Sequence, residues 1–328
     1  LSDNGASLTR DELAAEAYRL SRRGLTRAEI AHELREHYTG KLPEPTTGWA
    51  TSLLRHHERV TAAQYGVREY TFRTGDEFTA VSVPIFDGAP VLDWPRCVVI
   101  GDVHLPTTDF AFVETMLEIA QRMGIKRLLI GGDLVNADAY SRFEHLVSPP
   151  TFAEERAVAV RFMSRVSEVF DEIVLLRGNH EDRILKRNGG NISAGVLGVL
   201  FSSARGKLKM TPYAYATVHS GGHVWRVTHQ KNYAQIPGRV AEWLSQKYDC
   251  NIISFHQHHV GVHMSSNGKW VLVDGGGLFD DTKMAYVQLT DSTAPRMAQG
   301  FVVLEDGTAH LITPYPAMTN LARWLGEE

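Results

Sequence analysis

The 328-residue chain reads as an α/β protein: a two-sheet β-sandwich flanked by helices, preceded by a small all-α domain. Three observations lead there. From Arg96 onward, short runs of β-branched and aliphatic residues alternate with helical patterns. Three of these runs end in glycine followed directly by Asp or Asn, at Gly101-Asp102, Gly132-Asp133 and Gly178-Asn179. Residues 1–62, by contrast, carry only helical periodicity. The organisation expected is a three-helix domain over 1–62, a connector over 63–95 and the main domain over 96–328.

The first helix is announced by Thr9-Arg10-Asp11-Glu12, a capping box in which threonine and glutamate satisfy each other's free amides. Leu13, Ala17 and Leu20 follow at helical spacing, and Gly24 is a stop. Thr26 and Glu29 open a second helix; a third is expected from about Thr47 to Thr61. In the connector, Tyr70 to Val83 alternates as a hairpin would. The main domain then gives a strand over Cys97 to Ile100, a helix over Phe110 to Met123 and a strand over Arg127 to Ile130. A capping box at Thr151 and Glu154 starts a helix running to about Phe170, before a strand over Ile173 to Leu176. Later strands are expected over Val224 to Thr228, Asn251 to Ser254, Trp270 to Val273 and Phe301 to Leu304. A helix from about Gly238 to Tyr248 lies among them.

Hydrophobic residues make up 43% of the chain and charged residues 22%, as in ordinary globular proteins. The formal net charge of −4 provides no global basic field, so any nucleic-acid contact has to be local. No apolar run approaches the ~18 residues of a membrane span. The N-terminus opens polar and acidic, without a signal peptide. Cys97 and Cys250 each border an apolar run and read as free thiols. The location expected is cytoplasmic, with no membrane association.

The chemistry lies at the ends of the apolar runs. Gly101-Asp102-Val103-His104, Gly132-Asp133-Leu134-Val135-Asn136 and Gly178-Asn179-His180-Glu181 each place polar ligand types at the carboxyl end of a strand, where open α/β sheets bind ligands. Val227-Thr228-His229 and Phe255-His256-Gln257-His258 add imidazoles from two later strands. Mixed imidazole and oxygen donors without thiolate suit Mn, Fe, Zn, Ni or Co, with Mn favoured.

This series resembles the calcineurin-like metallophosphoesterase superfamily over about Arg96 to Asp280. The resemblance implies two divalent metal ions, one held by Asp102, His104 and His258 and the other by Asn179, His229 and His256. Asp133 would bridge them, since a carboxylate has two oxygens. The implied reaction is attack on phosphorus by a metal-bridging hydroxide, with His180 protonating the leaving oxygen. Glu181 and Asp182 read as caps of the following helix.

Three departures stand out. Phe255 replaces the usual glycine of the last motif, and its ring is expected to wall one side of the site. Asn136 and Ala137 stand where protein phosphatases of the superfamily have an Asp-Arg pair; without that arginine, diesters are favoured over monoesters. His259 extends the His-x-His run but alternates away from it, toward the surface or a supporting place. Asn136, Tyr140 and Arg183 are substrate-contact candidates, and Arg177, Lys186, Arg187 and Lys231 further cations near the site. His219, His223 and His263 read as structural or surface histidines, and Gly275 to Gly277 as either a turn or a close backbone approach.

The N-terminal helices resemble a helix-turn-helix, which would expose Thr47, Thr51, Arg55 and His56 to DNA. Residues 1–60 contain nine basic and nine acidic side chains, so no basic field supports that contact. The function expected is a metal-dependent phosphodiesterase acting on nucleic acid or nucleotides. The alternatives are a small-molecule phosphomonoesterase with helices for oligomerisation, and a DNA-binding regulator with a structural metal domain.

Overall fold

A computed structural model describes residues 9–37, 47–65, 67–70, 81–84, 86–142, 147–189, 191–291, 293 and 295–327. The chain divides after Gly88 into two units. The first holds α1 (Arg10–Arg22), α2 (Arg27–His37), α3 (Thr47–Tyr65), β1 (Val67–Tyr70) and β2 (Val81–Pro84). Both capping boxes form: the carboxylate of Glu12 accepts from Thr9 N–H at 2.8 Å, and that of Glu29 from Thr26 N–H at 2.7 Å. Leu13, Ala17, Leu20, Ile30, Leu34, Ala50 and Leu53 form this unit's core. β1 and β2 pair antiparallel. The residues joining them, and those joining α2 to α3, lie outside the described residues.

The second unit runs β3 (Val91–Asp93), β4 (Arg96–Ile100), α4 (Phe110–Arg122), β5 (Arg127–Ile130), α5 (Phe152–Val169), β6 (Glu172–Leu175), α6 (Asn179–Arg187), α7 (Ala194–Phe201) and β7 (Leu208–Met210). It continues with β8 (Tyr215–Ser220), β9 (His223–Thr228), α8 (Arg239–Tyr248), β10 (Asn251–Ser254), β11 (Val260–Met264), β12 (Val271–Gly275), α9 (Ala285–Gln288), β13 (Phe301–Glu305), β14 (Thr308–Ile312) and α10 (Leu321–Leu325). Two six-stranded sheets result, ordered β14-β13-β4-β5-β6-β7 and β11-β12-β10-β9-β8-β3. Strands β4 to β7 are parallel, as are β9, β10 and β12.

Strand alternation explains the layers. On β4, Val98 and Ile100 face the core shared with Phe112, Met116, Phe162 and Val166 of α4 and α5. Cys97 and Val99 face the other way, into a core between the sheets with Leu129, Val218, Trp225, Val227, Ile253 and Val302. The outer face of the second sheet packs Ile252 and Leu272 against Ala241 of α8. Helices therefore lie outside two stacked sheets. Among the described residues, no helix is long and apolar enough to cross a membrane.

Phe255 occupies the seam between the sheets. It is 2% exposed. A Cβ at Gly101 or Gly131 would come within 2.4 Å of its ring, and one at Gly275 within 2.5 Å. The ring therefore fills a slot made by three missing side chains, one from the end of each adjoining strand. It does not wall the site, because apolar burial draws it inward. Gly101→Ala is expected to destabilise the fold by about 1–3 kcal/mol through overpacking. In a thermal-melt double-mutant cycle, Phe255→Ala should relieve part of that loss; additive effects would contradict the slot.

Candidate metal centre

Five loops bring the polar residues together at one end of the two sheets. Parallel strands β4, β5 and β6 deliver Asp102 and His104, Asp133, and Asn179 with His180. Strands β9 and β10, parallel in the second sheet, deliver His229 and then His256 and His258. The backbone joins the loops directly: Asp102 N–H donates to Gly132 O at 3.0 Å, and Phe255 N–H to Thr228 O at 3.1 Å.

Asp102, His104 and His258 form one group of converging ligand atoms, and Asp133, His229 and His256 another. In the first, His258 Nε2 lies 3.1 Å from Asp102 Oδ1 and 3.0 Å from His104 Nε2. His104 Nδ1 engages Asn136 Oδ1 at 3.0 Å, which fixes the tautomer and leaves Nε2 as the inward lone pair. In the second, His229 Nδ1 donates to Gly131 O at 2.9 Å while Nε2 faces Asn179 Oδ1 at 2.8 Å and Asp133 Oδ2 at 3.3 Å. Asp133 also belongs to a third group, with His104 and His180, which links the first two.

Each carboxylate has one oxygen fixed by a backbone amide and one turned inward. Asp102 Oδ2 accepts from His256 N–H at 2.8 Å, and Asp133 Oδ1 from His180 N–H at 2.9 Å. Asp133 thus turns Oδ2 toward His229, while Oδ1 accepts at the start of α6. Glu181 Oε2 accepts from Gly178 N–H at 2.8 Å and Asp133 N–H at 2.9 Å, and Oε1 from Leu134 N–H at 2.8 Å. It thus caps α6 and clamps the Asp133 loop as well. Asp182 is no cap: it pairs with Arg177 at 3.2 Å and Lys186 at 2.6 Å.

Charge and burial set the protonation. Burial disfavours ionised Asp102 and Asp133, but the surrounding imidazoles hold both carboxyls below the ordinary range. Burial would lower the pKa of His229, yet the charge and hydrogen bond of Asp133, with Asp102 and Glu181, raise it to about 10. A proton on His229 Nε2 thus stands among Asn179 Oδ1 and Asp133 Oδ2, where the donor set suits a divalent cation. The nitrogen and oxygen donors around His104 Nε2 and His258 Nε2 fit one equally well. His180 behaves oppositely: burial depresses its pKa, Asp133 opposes this, and His104 and Arg183 add to it, leaving about 3.

The side chain of Asn136, a candidate for substrate contact, is engaged within the protein. Asn136 is buried, with Oδ1 on His104 and Nδ2 donating to Thr107 Oγ1 at 3.3 Å. Its carbonyl receives His180 Nδ1 at 2.6 Å and Arg183 at 2.9 Å. Arg183 also reaches His180 Nε2 at 2.9 Å and Asp138 at 3.1 Å. A guanidinium therefore stands beside His180, delivered by α6, although Ala137 occupies the expected arginine position.

Tyr140 lines the adjacent cleft. His259 is buried rather than at the surface and joins none of the ligand groups among the described residues. Gly277 makes a close approach, since a Cβ there would lie 2.7 Å from Asp102 O. Of the N-terminal candidates, Thr47 and Arg55 are exposed. Thr51 is half-buried and donates its hydroxyl to Thr47 O, while His56 pairs with Asp11 at 2.5 Å.

Two supporting residues escape the sequence reading. Glu155 on α5 accepts from Ala137 N–H at 2.9 Å, holding that residue in its left-handed conformation (φ 51°). Its signal was a charged residue on the inner side of an amphipathic helix. Phe279 packs on His258 with ring centroids 4.7 Å apart, a contact that only the tertiary fold creates.

Asn136→Ala is expected to weaken metal binding about ten- to hundredfold, because His104 loses its orienting partner. An unchanged affinity by calorimetry would contradict that role. Metal uptake must displace the His229 proton, so affinity should rise with pH toward about 10 and proton release should accompany binding near neutrality. The same raised pKa stabilises the metal-free fold fully below the ordinary 6.5, and that stabilisation is lost as pH rises through about 10. Calorimetry in buffers of different ionisation enthalpy checks this; binding without proton release would overturn it.

No curated protein matches the chain. Among solved structures, zinc-bound wild-type Vps29 of Entamoeba histolytica is 15% identical, with a TM-score of 0.34, covering 66% of this chain and 97% of that one. Vps29 of Cryptosporidium parvum is 14% identical, with a TM-score of 0.33 and coverages of 66% and 95%. A conserved protein of Streptococcus pneumoniae, described as a predicted phosphoesterase, is 12% identical, with a TM-score of 0.32 and coverages of 69% and 95%. The calcineurin-like phosphoesterase family model matches residues 95–286, over half of the sequence, and the chain belongs to that family.

Proposed function

We propose that this protein is a dinuclear-metal phosphodiesterase acting on nucleic acid or nucleotides. The observation that carries the reading is the pair of ligand groups linked through Asp133, in a chain of the calcineurin-like phosphoesterase family. Asp102, His104 and His258 would hold one ion; Asn179, His229 and His256 the other, with Asp133 shared. When bound, the ions supply Lewis-acid activation of the phosphoryl group and of the attacking water. Manganese is the ion we favour.

The remaining work falls to the chain's own side chains. His180 is neutral at rest, its Nδ1 held by the Asn136 carbonyl and its Nε2 turned to Arg183. In the proposed reaction His180 Nε2 takes up a proton from solvent and passes it to the leaving oxygen as charge develops there, while Nδ1–H stays on the Asn136 carbonyl. Arg183 keeps a fixed positive charge beside that oxygen, restrained by Asp138 and the Asn136 carbonyl. Because this arginine is present, the missing Asp-Arg pair alone does not select diesters. The open cleft beside the centre, about 980 Å³, supports a substrate larger than a small monoester. Arg183 also favours a second reading, a phosphomonoesterase whose substrate carries the additional charge. Recruitment of DNA by Thr47, Thr51 and Arg55 remains a proposal for the helical unit.

Mn-loaded protein is expected to hydrolyse bis-p-nitrophenyl phosphate, and Asp133→Asn to abolish that turnover. Turnover of p-nitrophenyl phosphate alone would replace the diester reading with the monoester one. His180→Ala should slow cleavage of a dinucleotide, whose sugar oxygen needs a proton, by about 10²–10⁴-fold. The nitrophenolate leaving group needs no such help, so its release should fall far less. Equal losses on both substrates would exclude His180 as the acid.

A further inference from the structure

We propose that the cleft beside the second ligand group binds a single strand of nucleic acid through phosphates flanking the scissile one. The inference rests on the phosphodiesterase reading and names the substrate class that the same site takes. Arg142, Arg177, Arg183, Lys186, Arg187 and Lys231 all line this cleft, together with Asn179, His229 and His256. Among the described residues, Asp182 is the one carboxylate on its lining, and it is shared by Arg177 and Lys186. A chain of net charge −4 has thus concentrated cations at one place, next to its candidate metal centre. A local positive field of this kind attracts polyanions and raises their association rate.

Size and distribution decide the class of polyanion. The cleft measures about 980 Å³, so one phosphodiester group at the metal centre leaves most of it vacant. The cations come from separate elements: the loop after Tyr140, the loop after β6, the length of α6 and the loop after β9. Their origin in four chain segments suits phosphates spaced along a backbone better than a compact polyphosphate. Tyr140 adds an aromatic side chain to the lining, and positive grooves with aromatic residues are the usual platform for unpaired strands. Gln230 lines the same cleft at 6% exposure, with neither side-chain polar atom partnered among the described residues. A buried amide in that state costs stability unless a water or ligand satisfies it, and a nucleotide's sugar or base supplies both donors and acceptors.

The test compares full-length wild type with the double variant Lys231→Glu/Arg187→Glu, both sites being exposed. Binding of a fluorescent oligothymidylate of about sixteen nucleotides, a length within single-strand site sizes, is followed by anisotropy in EDTA across a salt series. Turnover of bis-p-nitrophenyl phosphate is followed separately with Mn. The double variant should bind the oligonucleotide at least about tenfold more weakly, with a salt slope shallower by about one to two. Its turnover of the small diester, which has no flanking phosphates, should fall far less than its affinity for the strand. Wild-type affinity and slope in the variant would overturn the inference, as would displacement of the strand by inorganic triphosphate at lower concentrations than by unlabelled oligothymidylate. If the small diester is not cleaved while strand binding is lost in the variant, the enzymatic reading fails and the strand site stands. If the small diester is cleaved and strand binding is unaltered, only the strand inference fails.

Discussion

The carboxylate of Asp133 is the fixed point from which the site is built. One oxygen receives the His180 amide in the first turn of α6 and the other faces His229. Holding a charge there requires close backbone approach on two sides. A Cβ at Gly178 would lie 2.2 Å from Asp133 Oδ1, and one at Gly132 would lie 2.7 Å from His229 Nδ1. Both glycines are therefore steric necessities of the ligand arrangement. Glu181, buried and hydrogen-bonded to the amides of residues 133 and 134, then locks the loop. Burial and the charge of Asp133 push its pKa to about 7, so the amides hold a carboxylate that otherwise prefers to be protonated.

The same loops carry conformational strain. Asp102, His104, Asp133, His256 and His258 all have left-handed backbones, with φ between 47° and 81°. Such conformations cost of order 1–3 kcal/mol each in side-chain-bearing residues and persist where surrounding structure dictates them. Here the dictating structure is visible: strand ends in register, amide hydrogen bonds to the carboxylates, and the Phe255 ring seated among three glycines. The strain turns imidazoles and carboxylates inward from strand ends whose regular continuation would alternate them between faces. Such an arrangement would hold these side chains ready for a divalent metal ion.

Much of this was legible in the sequence because its signals are local. Strand ends punctuated by Gly-Asp or Gly-Asn identified the loops, and the capping boxes at Thr9, Thr26 and Thr151 identified helix starts. Strands β3, β7, β8, β11 and β14 escaped because they are short, lie toward sheet edges or mix polar residues into their pattern. Helix α7, AGVLGVLF, has almost no polar face from which to read a period. The fate of Phe255 was hidden because its slot is assembled from Gly101, Gly131 and Gly275, far apart in the chain. The hold of Asn136 on His104 was hidden for a similar reason: the two lie 32 residues apart. Arg183, one helical turn beyond His180, could have been placed from spacing once α6 was known.

The central claim is that Asp133 joins two metal sites into one centre. Low-temperature electron paramagnetic resonance during titration of metal-free protein with Mn²⁺ tests it most directly. Two ions sharing a carboxylate should give a spin-coupled spectrum that replaces the isolated-ion signal as the second equivalent binds, and Asp133→Asn should abolish the coupling. An isolated-ion spectrum that saturates at one equivalent, or two uncoupled signals in the wild type, would contradict the account.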